Sequence, residues 1–169
     1  LIGLGKFNKI LEIDFENRCV VTQPGVTNLA ITGAVQHEGF YYAPDPSSQL
    51  ACSIGGNIST NAGGVHTLKY GVTTNNVLGV EIVLMDGTII RLGGKNLDAE
   101  GYDLLGIITG SEGLLGVITE ITVKILKKPQ SVRAVLVGFD TNEDSGNCVA
   151  EIISTGIIPA GMEIMDKPL

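Results

Sequence analysis

A chain of 169 residues with 44% hydrophobic and 17% charged side chains is long enough to bury a real core and too apolar to be disordered. Its formal net charge of −7 argues against nucleic acid or an anionic membrane as the main partner, because both are bound through basic patches. No apolar run approaches the ~18 residues of a transmembrane segment, no signal peptide is visible, and the three cysteines, Cys19, Cys52 and Cys148, lack the spacing of a disulfide framework or zinc site; a reducing, cytoplasmic setting is the expectation.

In chain order, the opening LIGLGKFNKI reads as the interior of a strand. Lys9 to Asp14 and Arg18 to Gln23, rich in Ile and Val around Phe15-Glu16-Asn17, predict a hairpin closed by Pro24-Gly25. Thr27 or Asn28 caps a helix that runs to about Glu38 and stops at Gly39, which leaves His37 in its last turn as a surface residue. Val77 to Met85 and Thr88 to Leu92 flank the hairpin signal Asp86-Gly87, and the almost continuously apolar VLGVEIVLM suits a strand covered on both faces. Polar residues from Lys95 to Glu100 introduce a short helix over Gly101 to Thr109. Ile121, Val123 and Ile125 then alternate with polar neighbours as in a half-buried strand.

Pro129 marks a boundary. Beyond it Val132 to Phe139 reads as a strand, Thr141 with Asp144 as a capping box for a helix from about Glu143 to Thr155, and Met162 to Met165 as the start of another strand. Without an initiator methionine, and with an element beginning at MEIMDKPL, the sequence reads as a piece of a longer protein. The fold class expected is α+β, a largely antiparallel sheet flanked by helices.

Between the first helix and the second hairpin lies PDPSSQLACSIGGNISTNAGGVHTLKYG, Pro44 to Gly71, whose only formal charges are Asp45 and Lys69. Paired glycines, Gly55-Gly56 and Gly63-Gly64, permit positive φ and close approach of backbone to a ligand. Successive amides in such turns bind anions, and the interleaved Ser, Thr and Asn add neutral donors suited to a diphosphate or a polar heterocycle. The residues alone leave a second possibility open, a small-residue loop where two elements pack closely. Neither G-x-x-x-x-G-K-S/T nor G-x-G-x-x-G after a strand is present, so both common nucleotide folds lose ground. The sequon Asn57-Ile58-Ser59 is discounted in a chain without a secretory signal.

The run DPSSQLACSIGGNISTNAGG, followed by KYG, VLGVEIVLMDGTI, GYDL and GSEGLLGVITEITVKI, resembles the FAD-binding domain of the flavin oxidoreductases that include p-cresol methylhydroxylase and vanillyl-alcohol oxidase. Within them it is most similar to the branch that holds D-lactate dehydrogenase and the flavin-binding component of glycolate oxidase. The likeness covers nearly the whole chain. It implies an FAD-binding domain over residues 1–129, lacking its N-terminal subdomain and that subdomain's diphosphate loop, and the beginning of a ferredoxin-like, substrate-side cap domain over residues 130–169.

By the same resemblance FAD lies between two subdomains, and Pro44, Ser47, Ser53, Gly55, Gly56, Asn57, Thr60, Asn61 and Gly63 match its central binding region. Glycine amides there would meet phosphate oxygens, and the Asn and Thr side chains the polar edge of the flavin. Glu112, Gly113, Gly116, Val117 and Ile118 match a second region, whose backbone would recognise the adenine and ribose, and Tyr70-Gly71 would lie near the isoalloxazine. Cys52 reads as a small buried thiol in preference to a covalent flavin attachment. Neither His37 nor His66 has an evident orienting partner in the sequence, so no catalytic residue is assigned. No metal ligand is assigned either.

The implied activity is hydride transfer from a D-2-hydroxy acid, glycolate or D-lactate, to FAD in the full-length parent. The implied partners are that small molecule and the other subunits of an oxidase complex. The isolated segment is expected to be inactive and to hold FAD weakly. A phenol or ether-lipid substrate, or a non-catalytic subunit that keeps the fold, stays open, because substrate choice lies in the cap.

Overall fold

The computed structural model describes residues 2–96 and 101–166. Leu1, residues 97–100 of the polar lead-in to the short helix, and residues 167–169 of the closing MEIMDKPL lie outside the described residues. The first strand, β1 (Ile10–Asp14), begins only at the end of LIGLGKFNKI and pairs antiparallel with β2 (Cys19–Thr22). Asp14 closes the connection by accepting from both the backbone N–H and the side-chain amide of Asn17, while Arg18 turns the chain at φ 54°. The predicted cap is Thr27, whose hydroxyl accepts from the Ala30 N–H at the start of α1 (Asn28–Val35). A 3-10 turn, Gln36–Glu38, carries the chain to Gly39 at φ 75°, and His37 is exposed there.

A short strand, β3 (Phe40–Tyr41), precedes the glycine-rich stretch. Two short helices, α2 (Ile54–Thr60) and α3 (Thr67–Tyr70), lie within that stretch, and the rest of it is turn and irregular backbone. The second predicted hairpin forms from β4 (Val77–Val83) and β5 (Ile89–Gly93). Its turn is closed by the Gly87 N–H donating to the Leu84 carbonyl, with Gly87 at φ 87°. After α4 (Leu104–Ile108) comes β6 (Val117–Lys124), then β7 (Leu126–Lys127), which pairs with β3, and finally α5 (Asn142–Ser154).

The main sheet has the order β1-β2-β6-β4-β5 with every pairing antiparallel. A bulge in β6 between Ile118 and Glu120, followed by regular alternation, places Ile118, Ile121 and Val123 in one core with Ile31 and Val35 of α1, Ile54 and Ile58 of α2 and Ile108 of α4. Each such side chain removed from water contributes ~1.5–3 kcal/mol. The glycine-rich helix α2 is therefore anchored to the sheet by its apolar residues. The opposite sheet face is charged: Arg91 bridges Glu81 and Glu120, and Lys95 bridges Glu12 and Asp14.

Beyond Pro129 the helix forms where expected, with Thr141 and Asp144 in reciprocal hydrogen bonds at its start and Gly156 at φ 82° after its end. The two strands predicted beside it do not. Val132 to Phe139 forms no regular element, with Val135 and Leu136 85% and 88% exposed, and Met162 to Met165 is likewise irregular. Strand propensity alone does not make a strand, since its backbone groups need a ladder partner, and among the described residues none pairs with either segment.

Candidate cofactor site

The glycine-rich stretch folds by capping itself. Ser53 is the N-cap of α2: its hydroxyl accepts from the Gly56 N–H at 3.2 Å, satisfying one of the donors a helix start leaves free. Residues 24–28 and 52–55 run side by side, with Asn28 N–H donating to the Cys52 carbonyl, Ile54 N–H to Val26 and Gly55 N–H to Pro24. The helix ends at Asn61 in the left-handed region, φ 49°, and the Asn61 carboxamide oxygen accepts from the Thr74 N–H. Pro44 is buried and its carbonyl accepts from the Asn28 side chain, while Ser47 is exposed on the turn before Cys52. Thr60, exposed, turns its hydroxyl back onto the Gly56 carbonyl.

The paired glycines do not adopt positive φ. Gly55 is required because an added Cβ would sit 2.6 Å from that of Pro24, and at Gly63 one would sit 2.7 Å from the Thr67 hydroxyl. At Gly64 it would run into the backbone of Asp45. Their value is close packing of protein on protein, and the amides of Gly55, Gly56 and Gly64 already have protein acceptors. Gly56 is the exception in packing: it is exposed, and a Cβ added there would meet only the Ser53 hydroxyl of its own cap, at 3.2 Å.

The second region reaches the first through backbone hydrogen bonds. Gly110 N–H donates to the Ile58 carbonyl and Glu112 N–H to the Ser59 carbonyl, each at 2.8 Å, so the loop before β6 docks on the last turn of α2. Glu112 and Gly113 are consecutive left-handed residues, φ 53° and 76°, both exposed. Gly116 is buried, and Val117 and Ile118 pair with Val83 and Ile82, so that end of the motif belongs to the sheet. The candidate residues thus gather around one helix and the loop against it, except Pro44 and Ser47, which lie on the approach to its N-terminus, and Gly116, Val117 and Ile118, which lead into and begin β6.

Within this assembly Asn57 is 3% exposed and its Nδ2 has no hydrogen-bond partner. A buried amide donor without an acceptor is costly, ~1–3 kcal/mol, unless something else supplies the acceptor. A polar cofactor edge such as that of a flavin fits this donor and the neutral Ser, Thr and Asn set around it. Cys52, half-buried, is a free thiol.

His66, without an evident partner at the level of sequence, has one in the fold. Its Nδ1 lies 2.6 Å from Asp45 Oδ2, and its backbone N–H donates to Asp45 Oδ1 at 3.2 Å. In the sequence Asp45 stands out only as the one carboxylate of the stretch, since the pair spans 21 residues. Next to it Asn76, fully buried, donates to the Tyr70 and Val72 carbonyls and pins the turn at Tyr70-Gly71, where Gly71 adopts φ 76°. Among the described residues no three or more His, Cys, Asp or Glu side chains gather to hold a metal ion.

An antiparallel sheet carrying two glycine-rich segments joined through their backbones, with a buried polar donor awaiting an acceptor, defines a cofactor-binding domain. Residues 1–93 match the family model described as FAD binding domain, and residues 128–168 that of the C-terminal domain of FAD linked oxidases, so the chain belongs to the FAD-binding oxidoreductase family. It is 54% identical over 99% of its length to the glycolate oxidase subunit GlcD of Escherichia coli, and 47% identical over 95% to that of Bacillus subtilis. It is 40% identical over 93% of its length to a D-lactate dehydrogenase of Archaeoglobus fulgidus. The chain spans about a third of the length of these relatives, 34% of both GlcD proteins and 35% of the dehydrogenase. Two structures of alkyldihydroxyacetonephosphate synthase superpose with TM-scores of 0.76 and 0.77 at 26% and 25% identity, over 92% of this chain and 28% of theirs.

Proposed function

We propose that the chain supplies part of the FAD site of an oxidoreductase that oxidises a short D-2-hydroxy acid, glycolate or D-lactate. The observation that carries this reading is the 54% identity to a glycolate oxidase subunit, which runs through both glycine-rich regions. When bound, FAD accepts the two electrons of the oxidation as a hydride from the substrate carbon.

The chain's own residues bind and orient. The unpartnered Asn57 amide donates to a polar atom of the cofactor, and Ser53, Gly55, Gly56, Thr60, Asn61 and Gly63 fix the helix that presents it, with Pro44 and Ser47 on its approach. Glu112 and Gly113 offer the exposed backbone of the second region, and Gly116, Val117 and Ile118 hold that loop to the sheet. We take residues 1–129 as the FAD-binding part and 130–169 as the beginning of the cap; the two family matches, over residues 1–93 and 128–168, support a division near Pro129.

The relative's name, a subunit, supports an assembly with other chains as the parent's setting. No helix among the described residues is long and apolar enough to cross a membrane. The three free thiols support a reducing, cytoplasmic compartment. The likeness to alkyldihydroxyacetonephosphate synthase favours, as a second reading, a flavin enzyme of another substrate class. Mixing the full-length holoenzyme anaerobically with glycolate, D-lactate, L-lactate or a phenol and following the flavin band decides between them. Bleaching by glycolate or D-lactate is expected; bleaching by none of these acids but by the phenol would transfer the assignment.

A further inference from the structure

Asp45 clamps one histidine at two points. Its Oδ2 lies 2.6 Å from His66 Nδ1, its Oδ1 accepts from the His66 backbone N–H at 3.2 Å, and Gly64 is bare because the turn leading to His66 is pressed against the Asp45 backbone. The double hold also fixes Val65, between Gly64 and His66. Val65 is the seat of the C-terminal segment: a Cβ on Gly161 would lie 2.6 Å from the Val65 side chain and 2.9 Å from its carbonyl oxygen. Residues 155–158 and 163–166 are exposed, while Pro159 to Met162 between them are half-buried. Among the described residues after α5, shielding is therefore confined to the stretch that meets Val65.

The other end of the clamp runs to α2. Pro44, the residue before Asp45, accepts at its carbonyl from the buried Asn28 side chain at 2.9 Å. The Asn28 N–H in turn donates to the carbonyl of Cys52, the residue before the N-cap Ser53. The His66–Asp45, Asn28–Pro44 and Asn28–Cys52 hydrogen bonds thus form one contiguous relay from the turn that carries Val65 to the helix that carries the unpartnered Asn57 donor. Asn28 is 1% exposed, so water does not replace either of its bonds. A shift at the start of α2 is passed on to Pro44 and Asp45, or it leaves a buried polar group unpaired.

We propose that this relay couples occupancy of the cofactor site on α2 to the seating of Pro159 to Met162 on Val65, an inference that rests on the cofactor site proposed above. With the Asp45–His66 pair closed, Val65 is held where the segment packs. With the pair open, the turn from Gly63 to His66 is released and the segment loses its seat. A cofactor that supplies the acceptor for Asn57 Nδ2 binds best when the relay holds α2 in place, so it favours the closed arrangement. By linkage, the seated segment strengthens cofactor binding by the same factor. The device ties closure of the seam between the two family-matched regions to the presence of cofactor.

The test uses the full-length protein, prepared as apoenzyme and titrated with FAD, in wild type and in the His66→Phe, Asp45→Asn, Gly161→Ala and His66→Phe/Gly161→Ala variants. His66→Phe keeps an aromatic ring beside Tyr70 and removes the partner of Asp45, while Gly161→Ala adds a methyl group that does not fit on Val65. Apo melting curves establish first that each variant folds. In wild type, FAD is expected to slow amide hydrogen exchange both in α2 and at Ala160 to Met162. In His66→Phe and Asp45→Asn the slowing should persist in α2 and be lost at Ala160 to Met162. Gly161→Ala should weaken FAD binding by roughly fivefold or more, and by no more than about twofold when His66→Phe is already present. Equal losses of affinity in the two backgrounds would overturn the coupling, as would a wild type in which FAD protects α2 and leaves Ala160 to Met162 unchanged. FAD bound with no protection of α2 would instead remove the cofactor site from that helix, and the coupling with it.

Discussion

Gly116 passes so close to β4 that a Cβ on it would sit 2.7 Å from the Val83 carbonyl oxygen and 2.8 Å from the Ile82 side chain. The glycine is needed by the sheet itself. Gly116→Ala should therefore destabilise the apo fold by ~1–3 kcal/mol, the range for overpacking a filled site, and Gly116→Asp by more, since it also buries a charge. Gly113, three residues earlier, has open space around it and only its φ of 76° to defend. Gly113→Asn should be nearly neutral, because Asn tolerates the left-handed region. Thermal melts of the three variants check this, and equal midpoints for Gly116→Ala and Gly113→Asn would refute the packing argument.

Asn57 separates a folding role from a binding role. Its Nδ2 is buried without a partner, so replacing the side chain by a similar-sized apolar one removes an unmet donor. Asn57→Leu is expected to leave the apo melting temperature unchanged or raised and to lower the flavin-to-protein absorbance ratio of the full-length parent at least twofold. Full flavin retention in the variant would move the cofactor's polar edge away from α2.

Asp14 should make stability depend on pH. Its carboxyl is held well below the ordinary value of 3.8, first by the Asn17 side chain and backbone and then by Lys95. A carboxyl depressed on folding contributes stability that is present above its unfolded pKa and is lost as pH falls through the folded one. The urea midpoints of wild type and Asp14→Asn should therefore differ most above about pH 5 and draw together progressively as pH falls below about 4, closing only where the folded carboxyl itself takes up a proton. A gap that is constant from pH 7 to pH 2 would show that hydrogen-bond geometry at the turn, and not charge, is what Asn17 and Lys95 secure.

Local chemistry made much of this protein legible from its residues. The alternation of Ile121, Val123 and Ile125, the caps at Thr27 and Thr141, and the Asp86-Gly87 turn are short-range signals, and hairpins and helices form where they point because both are built from neighbours. The order of the glycine-rich motifs likewise identified the family. What the paired glycines do was not legible: Gly55, Gly64 and Gly116 are bare because Pro24, Asp45 and Val83 approach them, and an approach across the fold leaves no mark on the sequence. The same holds for the Asp45–His66 pair and for the docking of Gly110 and Glu112 on α2. Val132 to Phe139 shows the converse, a strand-forming sequence that finds no ladder partner among the described residues, and a ladder requires a second chain segment beside it. Propensity and motif belong to the residues; contact, and with it the site, belongs to the packing.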